Sequence, residues 1–311
     1  MNAICSNSFS FPTAKKDTKN TVGGSVKLED STVNGNISGY DKVTLLNSTA
    51  INITNRTSSV TTEKIIAEGD DVKDAVNEHL WMEDKGYYAQ YLAGRVDDIL
   101  YTKSETLGQA LSILWGVAEG ERAVRLSENM PVVDYGAPVF WPWIPDMAPY
   151  HNRAVWPFVQ SYWVMANAKA GNESGVMHGI AAVWRAAMMY ATNKENFVAN
   201  DGNWKGTQVN SSNMLWSLSG SLGITFRTLI GINYDSPEAI RFAPVVPESL
   251  KAERKVEGFR YRDAVLDITV RGYGDMIKSF SIDGVRTDEP VVSADMTGRH
   301  SVEIVLADSF R

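Results

Sequence analysis

The spacing of apolar residues changes character twice along the chain. Near the N-terminus it alternates, with Val26 and Leu28, then Val43 and Leu45. The segment Ser25-Val-Lys-Leu-Glu-Asp-Ser-Thr-Val33 matches Lys42-Val-Thr-Leu-Leu-Asn-Ser-Thr-Ala50, an offset of 42 − 25 = 17 residues. Val26 corresponds to Val43, Leu28 to Leu45, Ser31 to Ser48 and Thr32 to Thr49. Period-two alternation broken by turn residues predicts β-strands, as turns of a small solenoid or as a meander. Two copies fall short of the three or so repeats that a free-standing solenoid needs, so a weakly ordered β-arm is the plainer reading.

From about residue 71 the period becomes helical. Asp74 to Trp81 reads as an amphipathic turn or two. Ser104 can cap a helix running through Leu107, Leu111 and Leu114 to Val117. Further helices are expected over Glu119–Asn129, Arg153–Ala170, Glu173–Ala191 and Ser212–Ile232, with Gly171 closing the second of these. That makes six helices in three pairs. Long connections, Met130–Asn152 and Asn193–Asn213, are dense in Pro, Trp, Asn and Gly. Loops of about 20 residues in a compact domain usually carry function. Beyond residue 235, after Pro237, Pro244 and Pro247, alternation returns. Strands are expected at Val265–Val270, at Ile277–Ile282 before the Asp283-Gly284 turn, and at Ser301–Leu306. Short strands with Gly-based turns predict a small antiparallel β-sandwich. The division expected is therefore 1–70 β-rich, 71–234 helical and 235–311 β-sandwich.

Composition narrows the function classes. Thirty basic against 37 acidic residues gives a formal net charge of −7, which disfavours a general nucleic-acid binder because phosphate contacts need clustered Lys and Arg. No apolar run approaches the ~18 residues of a membrane span. The single cysteine, Cys5, allows neither an intrachain disulfide framework nor a Cys-based zinc site. Residues 1–14 lack the basic head and apolar block of a signal peptide. Asn36, Asn47, Asn52 and Asn55 stand in Asn-x-Ser/Thr triplets, which matter only in a eukaryotic secretory pathway. Nine Trp and twelve Tyr, most of them between Trp81 and Trp216, are the informative excess.

Those aromatics concentrate the candidate chemistry in the two long loops. The first holds Trp141 and Trp143, then Tyr150, His151, Asn152 and Arg153 at a helix entrance, followed by Trp156. Flat rings beside fixed hydrogen-bonding groups suit sugars, whose apolar faces stack and whose hydroxyls need partners. Trp156 and Phe158 fit equally well as core residues at a helix start. The second loop holds Glu195, Asp201 and Trp204. A carboxylate among aromatics can serve as acid or base, although a solvated loop charge is the commoner case. Glu83, Asp84, Asp97 and Asp98 are further carboxylates without specific spacing. His79, His151, His178 and His300 are scattered, so no metal site and no cofactor are expected.

In order along the chain, Leu80-Trp-Met-Glu-Asp-Lys-Gly-Tyr-Tyr88, Thr106-Leu-Gly-Gln-Ala-Leu111, Tyr150-His-Asn-Arg-Ala-Val-Trp-Pro157, the Glu195 loop and Leu215-Trp-Ser-Leu-Ser-Gly-Ser221 resemble the six-hairpin (α/α)6-barrel glycoside hydrolases. That group includes trehalases, processing α-glucosidases and bacterial debranching-type enzymes. The resemblance covers about residues 76–311, and the trailing sandwich is similar to one that caps several members. It implies a partial (α/α)6 toroid of about six helices, an oligo- or polysaccharide substrate and an inverting mechanism. One carboxylic acid then protonates the leaving oxygen, and a second carboxylate, roughly 6.5–9.5 Å away, activates water. It places the general base at Glu195. It places Trp141, Trp143, Tyr150, His151, Asn152, Arg153, Trp156 and Trp204 around the sugar. No motif matches the general acid, which such barrels carry in the half that this chain lacks. Half a barrel leaves inner helix faces without partners, which predicts a homo-oligomer or a partner chain over the open side. Similar enzymes are often periplasmic or extracellular. The other class consistent with these residues is a non-catalytic carbohydrate-binding or adhesin-like protein.

Overall fold

The computed structural model describes the backbone of six short strands between residues 25 and 54, and then residues 58–310 except 95–96, 208 and 235; side-chain surroundings are described from residue 69 onward. The chain divides into two compact units, Met1–Asp74 and Ala75–Arg311. The four Asn-x-Ser/Thr asparagines, Cys5 and residues 1–14 lie outside the described residues.

In the first unit, β1 (Ser25–Glu29), β2 (Thr32–Val33) and β3 (Ile37–Ser38) are followed by β4 (Lys42–Leu46), β5 (Thr49–Ala50) and β6 (Ile53–Thr54). Each pairs in parallel with its counterpart: β1 with β4, β2 with β5, β3 with β6. The register sets Val26 against Val43, Leu28 against Leu45 and Thr32 against Thr49, so the 17-residue repeat is the spacing of two stacked coils. Parallel pairing of successive copies is the solenoid arrangement, since a meander would pair them antiparallel. Helix α1 spans Ser58–His79.

The second unit opens with three two-stranded ribbons. They are formed by β7 (Trp81–Met82) with β8 (Tyr87–Tyr88), β9 (Tyr91–Ala93) with β10 (Ile99–Tyr101), and β11 (Ser104–Glu105) with the later β12 (Phe140–Trp141). Ser104 was expected to cap the next helix but is drawn into the β11–β12 ribbon. Glu105 caps α2 (Thr106–Leu114) instead, its carboxylate accepting from Leu107 N at 3.1 Å and Gly108 N at 2.7 Å. The helix stops at Leu114, short of the expected Val117, because Gly116 turns left-handed at φ 77°. Helix α3 (Gly120–Asn129) follows as expected.

The next helix starts later than its periodicity suggests. Ala154–Val155 form β13, and α4 runs Pro157–Ala170. Proline fixes its own φ and disfavours helical geometry in the residue before it, so Pro157 sits at the first helical position and leaves Trp156 extended. Helix α5 (Glu173–Tyr190) is capped by the Asn172 side chain, which accepts from Gly175 N at 2.9 Å. After β14 (Phe197–Val198), α6 (Leu215–Gly223) gives way to a π-helical turn over Ile224–Leu229. Six α-helices thus occur among the described residues.

Helix α4 is the centre of the helical part. It packs against α2, α3, α5 and α6. A helix apolar on several sides must be buried on several sides. Trp163 and Ala166 face a core with Ile113 and Leu126, whereas Val164 faces a different core with Val176, Ile180 and Val183 of α5. Gly220 lets α6 approach α4 closely, since a Cβ there would lie 2.8 Å from Pro157 O and 3.1 Å from Phe158 Cα.

The chain ends in two sheets. The first is three-stranded and antiparallel, with β15 (Ile232–Asn233), β16 (Ala239–Phe242) and, later in the chain, β21 (Val291–Ser293). The second contains β17 (Arg254–Tyr261), β18 (Ala264–Arg271), β19 (Ile277–Ile282), β20 (Val285–Thr287) and β22 (Gly298–Leu306), in the order β17-β18-β22-β19-β20. Pairing is antiparallel except between β18 and β22, which run parallel from Ala264 opposite Gly298 to Arg271 opposite Val305. Ala264, Leu266, Ile268 and Val270 alternate inward and meet Ile240, Phe242 and Val292 of the smaller sheet. The fold is thus a helical region followed by a β-sandwich, as the sequence pattern predicts. The sandwich core continues into Val176, Ile180 and Val183 of α5 and Ile224 and Leu229 of the π-turn.

Candidate functional site

A two-residue ribbon joins the aromatic loops. Strand β13 pairs antiparallel with β14, Ala154 opposite Val198 and Val155 opposite Phe197. All four side chains are buried, and Ala199 N donates to Arg153 O at 2.9 Å. This ribbon carries Tyr150–Trp156 on one side and Glu195–Asn196 on the other.

Glu195 is buried, at 5% exposure. A buried carboxylate is costly unless it is hydrogen-bonded, and here each oxygen has a donor. Tyr150 Oη donates to Oε1 at 2.5 Å, and Ser211 N donates to Oε2 at 2.9 Å. Glu195 N donates in turn to Ser211 O at 3.0 Å, which fixes the loop around the carboxylate. The same contact governs the tyrosine. The hydrogen bond to Glu195, then burial, then the carboxylate's charge push the Tyr150 phenol up to about 12. Tyr150 is therefore a donor across the physiological range.

Rings enclose this pair. Tyr150 lies 4.8 Å from Trp156 and 4.5 Å from His151, and His151 stacks on Trp156 at 5.4 Å. Trp156 is buried, and its indole N–H donates to Tyr150 O at 2.9 Å. Its ring also meets Trp216 at 5.5 Å, and Trp216 stacks on Phe158 at 4.6 Å. Trp156 thus supports the cluster, and His151 and Arg153 are its exposed polar residues.

Asn152 is buried at 1% exposure and fully engaged within the chain. Its carbonyl accepts from Ile144 N at 2.8 Å, and its amide donates to Ile144 O at 2.9 Å and Met147 O at 3.2 Å. It staples the preceding loop to the ribbon. Phe140 N donates to Asn152 O, and Val139 N to Ala154 O, which brings in the strand bearing Trp141. Trp141 and Trp143 are half-exposed and 5.2 Å apart, tilted by 48°. Trp204 belongs to a different cluster, with Val155, Phe197 and Ala199, where Tyr190 lies 6.5 Å away and Lys194 Nζ sits 3.7 Å over its ring.

Two contributors escaped sequence reasoning. Ser211 acts through its backbone N–H, which no side-chain pattern reveals. Trp216 lies in the Leu215–Ser221 segment, where its helical spacing reads as core. Of the other carboxylates, Asp84, Asp97, Asp98 and Asp201 are exposed. Glu83 is exposed too and is bound by Arg125 and by Trp81 Nε1, which hold its ionisation below the usual carboxylate range. Among the described residues, no group of three or more His, Cys, Asp or Glu side chains could hold a metal ion, and no helix is long and apolar enough to cross a membrane.

No protein-family model matches the sequence, and comparison with curated proteins finds no match. Among solved structures, the chain is similar to a GH78 family rhamnosidase of Bacillus sp. GL1. The match has 17% identity and a TM-score of 0.40, and it covers 68% of this chain and 22% of that one. The chain therefore spans about a fifth of the length of the solved structure it matches.

Proposed function

We propose that the protein acts on carbohydrates, with Glu195 as the base that activates water for hydrolysis of a glycosidic bond. The observation that carries this reading is the buried Glu195 carboxylate, held between Tyr150 Oη and Ser211 N beside a wall of rings. A general base must be fixed in position before its ionisation can matter. Two donors fix this one while leaving each oxygen further lone-pair capacity for a water. Tyr150 stays protonated and orients the carboxylate. His151 and Arg153 offer polar groups to sugar hydroxyls, and Trp141 and Trp143 offer stacking faces. The sequence resemblance to six-hairpin glycosidases supports the same assignment. It adds a partial toroid and an inverting displacement in which a second group protonates the leaving oxygen.

The test is reducing-sugar release from a panel of α- and β-linked oligosaccharides, wild type beside Glu195→Gln. Turnover that the substitution abolishes supports the proposal. Turnover that survives it removes Glu195 from the mechanism. A second reading, non-catalytic glycan binding, rests on the half-exposed Trp141–Trp143 pair, which can hold a sugar without Glu195. It predicts binding without turnover.

A further inference from the structure

A second feature lies along α4, apart from Glu195. A cleft of about 1220 Å³ follows this helix from Phe158 past Tyr162 and Met165 to Gly171. The end of α2 and the Trp216, Ser219 and Gly223 side of α6 form its walls, and the sandwich residues Arg241 and Asp275 also line it. At its Phe158–Trp216 end, Trp216 packs on the buried Trp156 of the site.

Three observations say what would occupy it. First, Thr228 is 2% exposed, lines the cleft and has no hydrogen-bond partner for its Oγ1. A buried hydroxyl without a partner is costly, so it calls for a polar ligand. Second, three cations, Lys169, Arg227 and Arg241, line the cleft against one carboxylate, Asp275, in a chain of formal net charge −7. Lys169 is spent on the α2 terminus, donating to Leu114 O at 2.8 Å. Arg227 reaches Asn233 Oδ1 at 3.3 Å and lies 5.5 Å over the Tyr234 ring, so no carboxylate holds it in these contacts, and it neighbours Thr228 in sequence. Third, Trp115, Tyr162 and Trp216 are exposed at 75%, 38% and 41% within this single cleft. Large exposed rings gathered in one groove mark a binding surface.

We propose that this cleft binds an acidic sugar chain. Its carboxylate or sulfate groups meet Arg227 and Arg241, and its sugar rings lie on the aromatic side formed by Trp115, Tyr162 and Trp216. Guanidinium groups pair with carboxylate and sulfate oxygens by charge-assisted hydrogen bonds. A second copy of this chain would cover the rings but bury the two guanidinium groups, which is costly unless each gains a carboxylate partner. The inference rests on the carbohydrate reading above and names its substrate class.

The experiment is affinity electrophoresis of the full chain through gels containing polygalacturonate, dextran sulfate or neutral dextran. The expected result is retardation by at least one acidic polymer and none by dextran; which acidic polymer retards identifies carboxylate or sulfate as the recognised group. The double variant Arg227→Gln, Arg241→Gln should weaken retardation by about tenfold or more, with an unchanged thermal midpoint to show that it folds. Equal retardation by dextran would overturn the proposal, as would retention by acidic gels that ignores the double variant. So would a concentration-dependent dimer abolished by that variant, which would make a second copy the occupant. The two proposals fail separately. Acidic chains bound in the cleft but no sugar cleaved would refute hydrolysis and sustain the cleft; neutral oligosaccharides cleaved without acidic retention would do the reverse.

Discussion

Glu195→Gln should bring Tyr150 down toward an ordinary phenol. In the native chain the Tyr150 hydroxyl donates to Glu195 Oε1 at 2.5 Å, and its ionisation is pushed from 10.0 up to about 12. The largest cause is that hydrogen bond, and the carboxylate charge adds to it. The amide has the same size and no charge; its oxygen can still accept from the hydroxyl, so the substitution removes the charge and weakens the hydrogen bond to a neutral one, while burial remains. The folded value lies above the unfolded one. The interaction therefore stabilises the fold fully below about pH 10 and loses that contribution as pH rises through about 12. The shift is 12 − 10 = 2 units, and at about 1.36 kcal/mol per unit its ceiling is about 2.7 kcal/mol. Solvent reaches the half-exposed ring, and screening reduces this to about 1 kcal/mol. Alkaline titration of tyrosinate absorbance, with circular dichroism to confirm the fold, reads the effect. Burial also raises Tyr87, Tyr88, Tyr190 and Tyr234, so the informative quantity is the difference between wild type and variant. One phenol should ionise at a lower pH in the variant than in wild type, and Tyr150→Phe should erase the difference. Superimposable curves for wild type and Glu195→Gln would refute the contact on which the site is built.

Other expectations concern the scaffold. Asn152→Ala strips hydrogen bonds from Ile144 and Met147 and should cost about 2–4 kcal/mol by denaturant titration; a loss within experimental error would show that the loop holds itself. Gly220→Ala forces a Cβ to within 2.8 Å of Pro157 O and should lower the thermal midpoint by the equivalent of about 1–3 kcal/mol, with a changed near-ultraviolet signal from the Trp216–Phe158 stack. Trp163→Ala empties a fully buried site and should cost about 3–5 kcal/mol. His300 Nδ1 pairs with Asp283 Oδ2 at 2.6 Å, which raises the histidine above 6.5 and lowers the aspartate below 3.8. The histidine contribution is lost as pH rises through its raised value, and the aspartate contribution as pH falls through its lowered one. The advantage of wild type over His300→Gln in thermal midpoint should therefore peak between pH 3.8 and 6.5 and shrink on both sides.

Local pattern carried much of this fold. Repeat spacing in residues 25–50 gave the register of β1 on β4, because stacked coils must align like residues. It did not reveal the last ladder, Ile37 opposite Ile53: its offset is 53 − 37 = 16, one short of the 17-residue spacing, although Asn36-Ile-Ser38 and Asn52-Ile-Thr54 match. Alternation gave β18, β19 and β22 but not the parallel pairing of β18 with β22, which depends on chain routing. Helical periodicity overran at Ala154–Val155 because those residues are apolar in either geometry, and pairing with Phe197–Val198 decided the matter. Pro157 was the local signal that could have set the boundary. At the site, the order of Tyr150, Trp156 and Glu195 singled out residues that the ribbon does bring together. The burial of Glu195, the backbone donor at Ser211 and the inward role of Asn152 are tertiary facts. The separation of Trp204 into another cluster is likewise invisible in one dimension.

The central claim is that the rings around Tyr150 and Glu195 receive a sugar. The direct measurement is intrinsic tryptophan fluorescence of the intact protein, titrated with the same oligosaccharide panel. The account predicts a saturable change with at least one member, lost in Trp141→Ala, Trp143→Ala and weakened in Arg153→Gln. No saturable change with any member, from protein shown to be folded, would contradict it.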